Sequence, residues 1–417
     1  GLRNAGTAVF SEDVIVDASN YTNGISNAGT LTANGSMNIN ATNMSAGGLV
    51  NWSGRVNVKK DLTITNNTTT AVNTSGINIS GGKVSVEGNT KVDVTGTATN
   101  NMSNAYAAGI RVTGVNSIFE SLGTNNTITT TGMNAHGIYI TNGTIALGRT
   151  GTAAEGITVL LESGNIKTTG SGASGIYALS LTSGDVTIDI GTATSIEATG
   201  SGSVFTDGVK AINNVGNILV TTAGEIYGYS KGIRAVISND TSTGNIKIIQ
   251  TDGNVKGGTE GISADNSGSG DTTIISNSGV TGGEYGILMG GDDGTLNVDI
   301  GTLGTVTGGR SGIVSSLFSS NKDKGININV SGTVVGGTGY GILTDTLAES
   351  SIIINLNNGA NVSATSGIGI MDGEGAYSSY DMGKTTLTMN SGSKLSGKVI
   401  LGNNSDAMII NGTSDIN

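Results

Sequence analysis

The sequence predicts an all-β chain folded as a single right-handed parallel β-helix. Three observations predict it: a repeated Gly-Ile landmark, short alternating runs of Ile, Val and Leu between turn residues, and the absence of Pro. The landmark is Gly followed by Ile or Val. It occurs at Gly109-Ile110, Gly137-Ile138, Gly175-Ile176, Gly208-Val209 and Gly232-Ile233, and again at Gly261-Ile262, Gly286-Ile287, Gly312-Ile313, Gly341-Ile342 and Gly367-Ile368. Successive landmarks lie about 24 to 38 residues apart, with a mean near 29, a repeat length typical of solenoids.

Within one period three short strands alternate with turns. One period reads Leu296-Asn-Val298-Asp-Ile300, then Gly304-Thr-Val306-Thr-Gly308, then Gly312-Ile313-Val314. The next reads Ile326-Asn-Ile328-Asn-Val330, then Gly332-Thr-Val334-Val-Gly336, then Gly341-Ile342-Leu343. Three strands per period make one coil. Alternation sends every second side chain inward, so Ile, Val and Leu form a column. A lone coil leaves its apolar face and strand edges open, and stacking at ~4.8 Å closes both. Corner glycines are expected to supply positive φ, and Asn and Asp to tolerate the same region. Pro, absent from all 417 residues, would delete a ladder donor at each central position.

About 14 or 15 coils fit the chain, which corresponds to a rod of roughly 70 Å. Three regions are read along it. Residues 1–100 keep the alternation, as in Asp13-Val-Ile-Val16, Leu62-Thr-Ile64 and Val84-Ser-Val86. They are read as less regular coils outside the Gly-Ile series, with the residues before Asp13 capping one edge. Residues 101–370 carry the regular repeat, and 371–417 are C-terminal coils. The interval between Ile138 and Ile176 is long and predicts an excursion or an extra strand.

Composition excludes several functions. There is no Cys, so disulfides, thiolate metal sites and cysteine nucleophiles are excluded. A net charge of −11 with no basic stripe argues against nucleic acid. No apolar run reaches the length of a membrane-spanning helix. The chain opens at Gly1 with no leader pattern, and we expect a mature or trimmed piece.

The segment Thr386-Leu-Thr-Met389, Leu395, Gly397-Lys-Val399-Ile-Leu401-Gly402 and Asp406-Ala-Met408-Ile-Ile410 resembles the last coils of bacterial autotransporter passengers. These are pectin-lyase-like β-helices exported by type V secretion from Gram-negative bacteria. With the lack of Pro and the Gly, Asn and Thr bias, the likeness covers nearly the whole chain. The resemblance implies a secreted or surface-displayed virulence factor. It also implies a C-terminal outer-membrane barrel that is not part of this sequence.

Chemistry is sparse. The single His, His136, precedes Gly137-Ile138 and reads as a polar corner. No Gly-x-Ser-x-Gly stands beside it. Asp292-Asp293, and Asp372 with Glu374, read as solvated turns rather than the paired carboxyls of a glycosidase. One Trp, Trp52, gives thin support for a sugar groove. Thr68-Thr-Thr70 and Thr129-Thr-Thr131 do not recur as the Thr ladder that ice binding needs. No metal, cofactor or enzymatic activity is expected.

Contact loops are placed where coils run long. Leu317, Phe318, Lys322 and Lys324 lie in one such loop, and Tyr377, Tyr380 and Met382 in another. Loops on rigid scaffolds carry function, and exposed aromatics anchor interfaces. The expected partner is a host cell-surface protein or glycan receptor, engaged by an adhesin or by a released ligand. Self-association and, behind it, a polysaccharide-degrading activity are the alternatives.

Overall fold

The computed structural model describes residues 1–68, 74–96, 107–182, 184–202, 205–319, 321–346, 350–373, 383–402 and 406–416. These residues hold 42 strands and no helix. The strands pair in parallel with those one coil before and after, so the chain is a parallel β-helix. It divides into two compact units. One comprises Gly1–Ala211 with Gly224–Ser230, the other Ile212–Ala223 with Lys231–Asn417.

In the first unit each face is a ladder with an apolar column behind it. On the first face Ile25, Leu49, Ile77, Ile110, Ile138 and Ile176 stand in register. On the second, Leu31, Val56, Val84, Phe119 and Ile145 do so. Ile39, Ile64, Val92, Ile128 and Ile166 make the third. These side chains are buried. The Gly-Ile series therefore starts earlier than expected: Gly24-Ile25, Gly48-Leu49 and Gly76-Ile77 belong to it. The coils within residues 1–100 are of the same kind as those that follow.

Residues 1–12 are not a cap laid over an edge. They form strands Leu2–Asn4 and Thr7–Phe10, which pair in register with Asn23–Asn27 and Thr30–Ala33. The long interval after Ile138 holds an extra strand. Gly143–Leu147 and the first half of Gly156–Thr168 both add to the second face, aligning Ile145, Val159 and Ile188.

In the second unit the first-face column runs Ile233, Ile262, Ile287, Ile313, Ile342, Ile370. The second runs Ile248, Ile274, Val298, Ile328, Ile354, Leu387. The third runs Val255, Val280, Val306, Val334, Val362, Leu395. The last landmark needs a correction. Ile370, two residues beyond Ile368, continues the column: Gly-Ile occurs twice in succession, at Gly367-Ile368 and Gly369-Ile370, and the second pair is the one in register with Gly341-Ile342.

The positive φ expected of corner residues is found at Gly54, Gly82 and Gly253 and at Asn20, Asn43, Asn116 and Asn134, whereas the landmark glycine has another cause. No landmark glycine from Gly109 to Gly341 has positive φ. At Gly286 an added Cβ would stand 2.5 Å from Val306 Cγ1 and 2.7 Å from the Gly312 carbonyl oxygen. The third-face valine of the next coil fills the space a side chain would need.

Polar side chains link coils as well. Asn4 Nδ2 donates to Asn27 Oδ1 at 2.8 Å, and Asn27 Nδ2 donates to Asn51 Oδ1 at 2.7 Å. In the second unit one corner is a chain of caps. Asn217 Oδ1 accepts from the Asn245 N–H, Asn245 Oδ1 from Asp271, and Asp271 Oδ1 from Thr295, at 2.7–2.9 Å.

Candidate functional site

The loop expected between Val314 and Gly325 is built in two parts. Strand Ser311–Leu317 continues the alternation, with Ile313, Ser315 and Leu317 buried. Leu317 is thus corrected from contact residue to core residue: its position in the alternation turns it inward. Phe318, the next residue, is 39% exposed, and its N–H donates to the Gly291 carbonyl at 2.8 Å. A tight turn follows. Ser319 Oγ donates to Asp293 Oδ1 and accepts from the Asn321 N–H, both at 2.9 Å. Lys322 is exposed. Lys324 Nζ reaches Asp271 Oδ1 at 3.4 Å and so braces the loop against an earlier coil. Tyr377, Tyr380 and Met382 lie outside the described residues, as does Glu374.

Phe318 borders a groove of about 360 Å³ on the first face of the second unit. Its floor comes from the outward positions of strands Lys231–Ile237, Glu260–Asn266, Tyr285–Gly291 and Ser311–Leu317. Register fixes that floor. Arg234, Ser263 and Leu288 form one row, and Val236, Asp265, Gly290 and Ser316 another. Gly290 carries no side chain, and the dip between Asp265 and Ser316 follows from that. At one margin Lys231 Nζ lies 2.7 Å from Glu260 Oε2, both side chains largely buried. Such a pair is held by its geometry, since losing either charge leaves the other desolvated.

Beyond Gly290 the turn residue Asp292 has its pKa raised. Burial is the main cause, and the negative charges of Asp265, Asp293 and Asp240 add to it. The doublet Asp292-Asp293 is therefore a repelling corner with one member tied to Ser319. Among the described residues no group of three or more His, Cys, Asp or Glu could hold a metal ion.

His136 lies in the first unit and is fully buried. Its Nδ1 accepts the Ser174 N–H at 2.9 Å. Burial, with the charge of Lys210, pushes its pKa down to about 3, so it is neutral and outside the range of a general base near pH 7. It packs against Tyr177, with ring centroids 5.0 Å apart, and Tyr139, at 6.1 Å. Lys210 lies 4.5 Å from the Tyr177 ring centre and Arg111 5.6 Å from that of Tyr139. The sequence carried one signal for this stack, since Tyr139 and Tyr177 each follow a landmark Gly-Ile.

What the groove offers is recognition: an aromatic edge, an aliphatic strip, a guanidinium and a carboxylate on rigid strands. Comparison with protein-family models, curated proteins and solved structures found no match for the chain.

Proposed function

We propose that this chain is the binding region of a secreted or surface-displayed autotransporter passenger, which engages a host-cell receptor through the groove beside Phe318. The observation that carries the reading is that groove. It is concave and mixes an exposed aromatic with paired and single charges, the composition that binding sites favour. Strand registers set its floor, so little ordering is lost on binding. The resemblance of the C-terminal coils to passengers supports the secretion route and the cell-surface setting. A receptor segment with one apolar side chain and a nearby carboxylate would fit between Phe318 and Arg234.

The test is equilibrium binding of the labelled chain to cultured animal cells, with unlabelled chain as competitor. Saturable, competed binding is expected. Phe318→Ala should weaken it about tenfold, the usual cost of removing an aromatic anchor, while Lys322→Ala leaves it nearly unchanged. Linear binding that unlabelled chain cannot displace would sink the reading and favour self-association.

A further inference from the structure

The first unit holds a second cavity, of about 550 Å³, lined by Arg3, Asn23, Ser26 and Trp52 among others. Arg3 and Ser26 are neighbours in the first-face ladder. Trp52 follows the strand Gly47–Asn51 and leans back across that ladder, its Nε1 donating to Ser26 Oγ at 3.2 Å. The indole is fixed in this way and is still 49% exposed. Asn23 Oδ1 is buried and accepts no hydrogen bond among the described residues. Unsatisfied buried acceptors are rare in native proteins and call for a partner. The lining contains one cation, Arg3, and no carboxylate, in a chain whose net charge is −11.

We propose that this cavity binds a saccharide bearing a carboxylate. The apolar C–H face of the sugar ring lies on the indole of Trp52, as flat aromatic side chains allow. A ring hydroxyl donates to Asn23 Oδ1. The carboxylate meets the guanidinium of Arg3, whose fork matches it. A neutral sugar would satisfy Asn23 and leave Arg3 unused. A simple carboxylate would satisfy Arg3 and leave the indole and Asn23 unused. The ligand class is the one that uses all three groups, and it does not depend on the groove beside Phe318.

Trp52 is the only tryptophan in the chain, so intrinsic tryptophan fluorescence reports this one place. The full chain is titrated with methyl β-glucuronide and with N-acetylneuraminic acid, against methyl β-glucoside and sodium acetate at matched ionic strength. A saturable fluorescence change with at least one acidic sugar is expected, and neither control should reproduce it. Arg3→Gln should weaken that binding about tenfold, to the level of the neutral sugar, and Asn23→Ala should weaken it similarly. Melting temperatures near wild type would show that both variants are folded. Calorimetry with Trp52→Ala should show no heat of binding. The proposal is overturned if neither acidic sugar gives a saturable change. An equal response to acetate or to the neutral glucoside overturns it too, as does full binding by Arg3→Gln.

Discussion

Gly286 and Gly6 make an informative pair. A Cβ at Gly286 meets Val306 and the Gly312 carbonyl, whereas a Cβ at Gly6 meets nothing within 4 Å. Neither has positive φ. Gly286→Ala should therefore destabilise the fold by about 1–3 kcal/mol through overpacking. Gly6→Ala should be neutral or stabilising by up to about 1 kcal/mol through the unfolded chain. Denaturant unfolding checks both, and equal losses would refute the steric account. His136 gives a pH prediction at the same scale. Its folded pKa, about 3, lies below the ordinary imidazole value of 6.5. Between those values the unfolded chain binds the extra proton, so the stabilisation is complete above pH 6.5 and drains away as pH falls. From pH 7 to pH 5 the wild type should lose on the order of 2 kcal/mol relative to His136→Gln. Parallel pH curves for the two proteins would disprove this. The landmark glycines were easy to find in the sequence, but their cause was not. A turn with positive φ and a crowded position both select Gly, and only the coil above distinguishes them.

At the scale of the strand, alternation was legible wherever it ran unbroken. It made Ile313 and Ile328 core residues, and carried on from Ile313 through Ser315 it would also have turned Leu317 inward. It failed at Asn361–Asp372, because Gly-Ile occurs twice in succession there, at Gly367-Ile368 and Gly369-Ile370, and the local pattern does not say which pair follows the column. The extra strand after Ile138 was legible as surplus length, though not the face it joins. Corner caps give a test at this scale. Asp271 accepts the Thr295 N–H and pairs with Lys324. Asp271→Asn keeps the cap and loses the ion pair, which is partly exposed and worth less than about 1 kcal/mol. Asp271→Ala loses both and should cost about 1–2 kcal/mol more than the Asn variant. Thermal melts of the two variants check the order, and equal losses would mean the ion pair, not the cap, holds the corner.

Across the whole molecule, most of the fold could be read from the chain and little of the candidate site could. The columns repeat with the sequence period, so local patterns state them directly. The groove does not repeat. It joins Arg234 to Phe318, residues far apart in sequence, and depends on how many residues separate the coils between them. Phe318 was visible as an aromatic in a long coil, whereas Arg234 and Gly290 carried no signal of their own. The cavity at Trp52 was hidden for the same reason, since Arg3, Asn23 and Trp52 come from three coils. Solenoid stability is largely a sum over neighbouring coils. Within the second unit, Gly286→Ala should thus reduce amide-exchange protection most at the coils of Ile287 and Ile313 and less at Ile370. Uniform loss across the unit would show longer-range cooperativity than nearest-neighbour stacking allows.

The register of the first-face ladder also bears on how such a chain can change length over generations. Glu260 and Tyr285 are partners in adjacent coils, each followed directly by a landmark glycine. Excising residues 261–285 would join Glu260 to Gly286 and set Ile287 beside Ile233. Val298 would then face Ile248, Val306 would face Val255, and Asn245 would come to cap Thr295. Every face would close again with chemically similar neighbours. A coil is in this sense a genetic cassette: gain or loss of one alters the surface on display and the spacing between binding features while the cross-section persists. Recombination between such coils could diversify what a lineage recognises without a new fold having to arise.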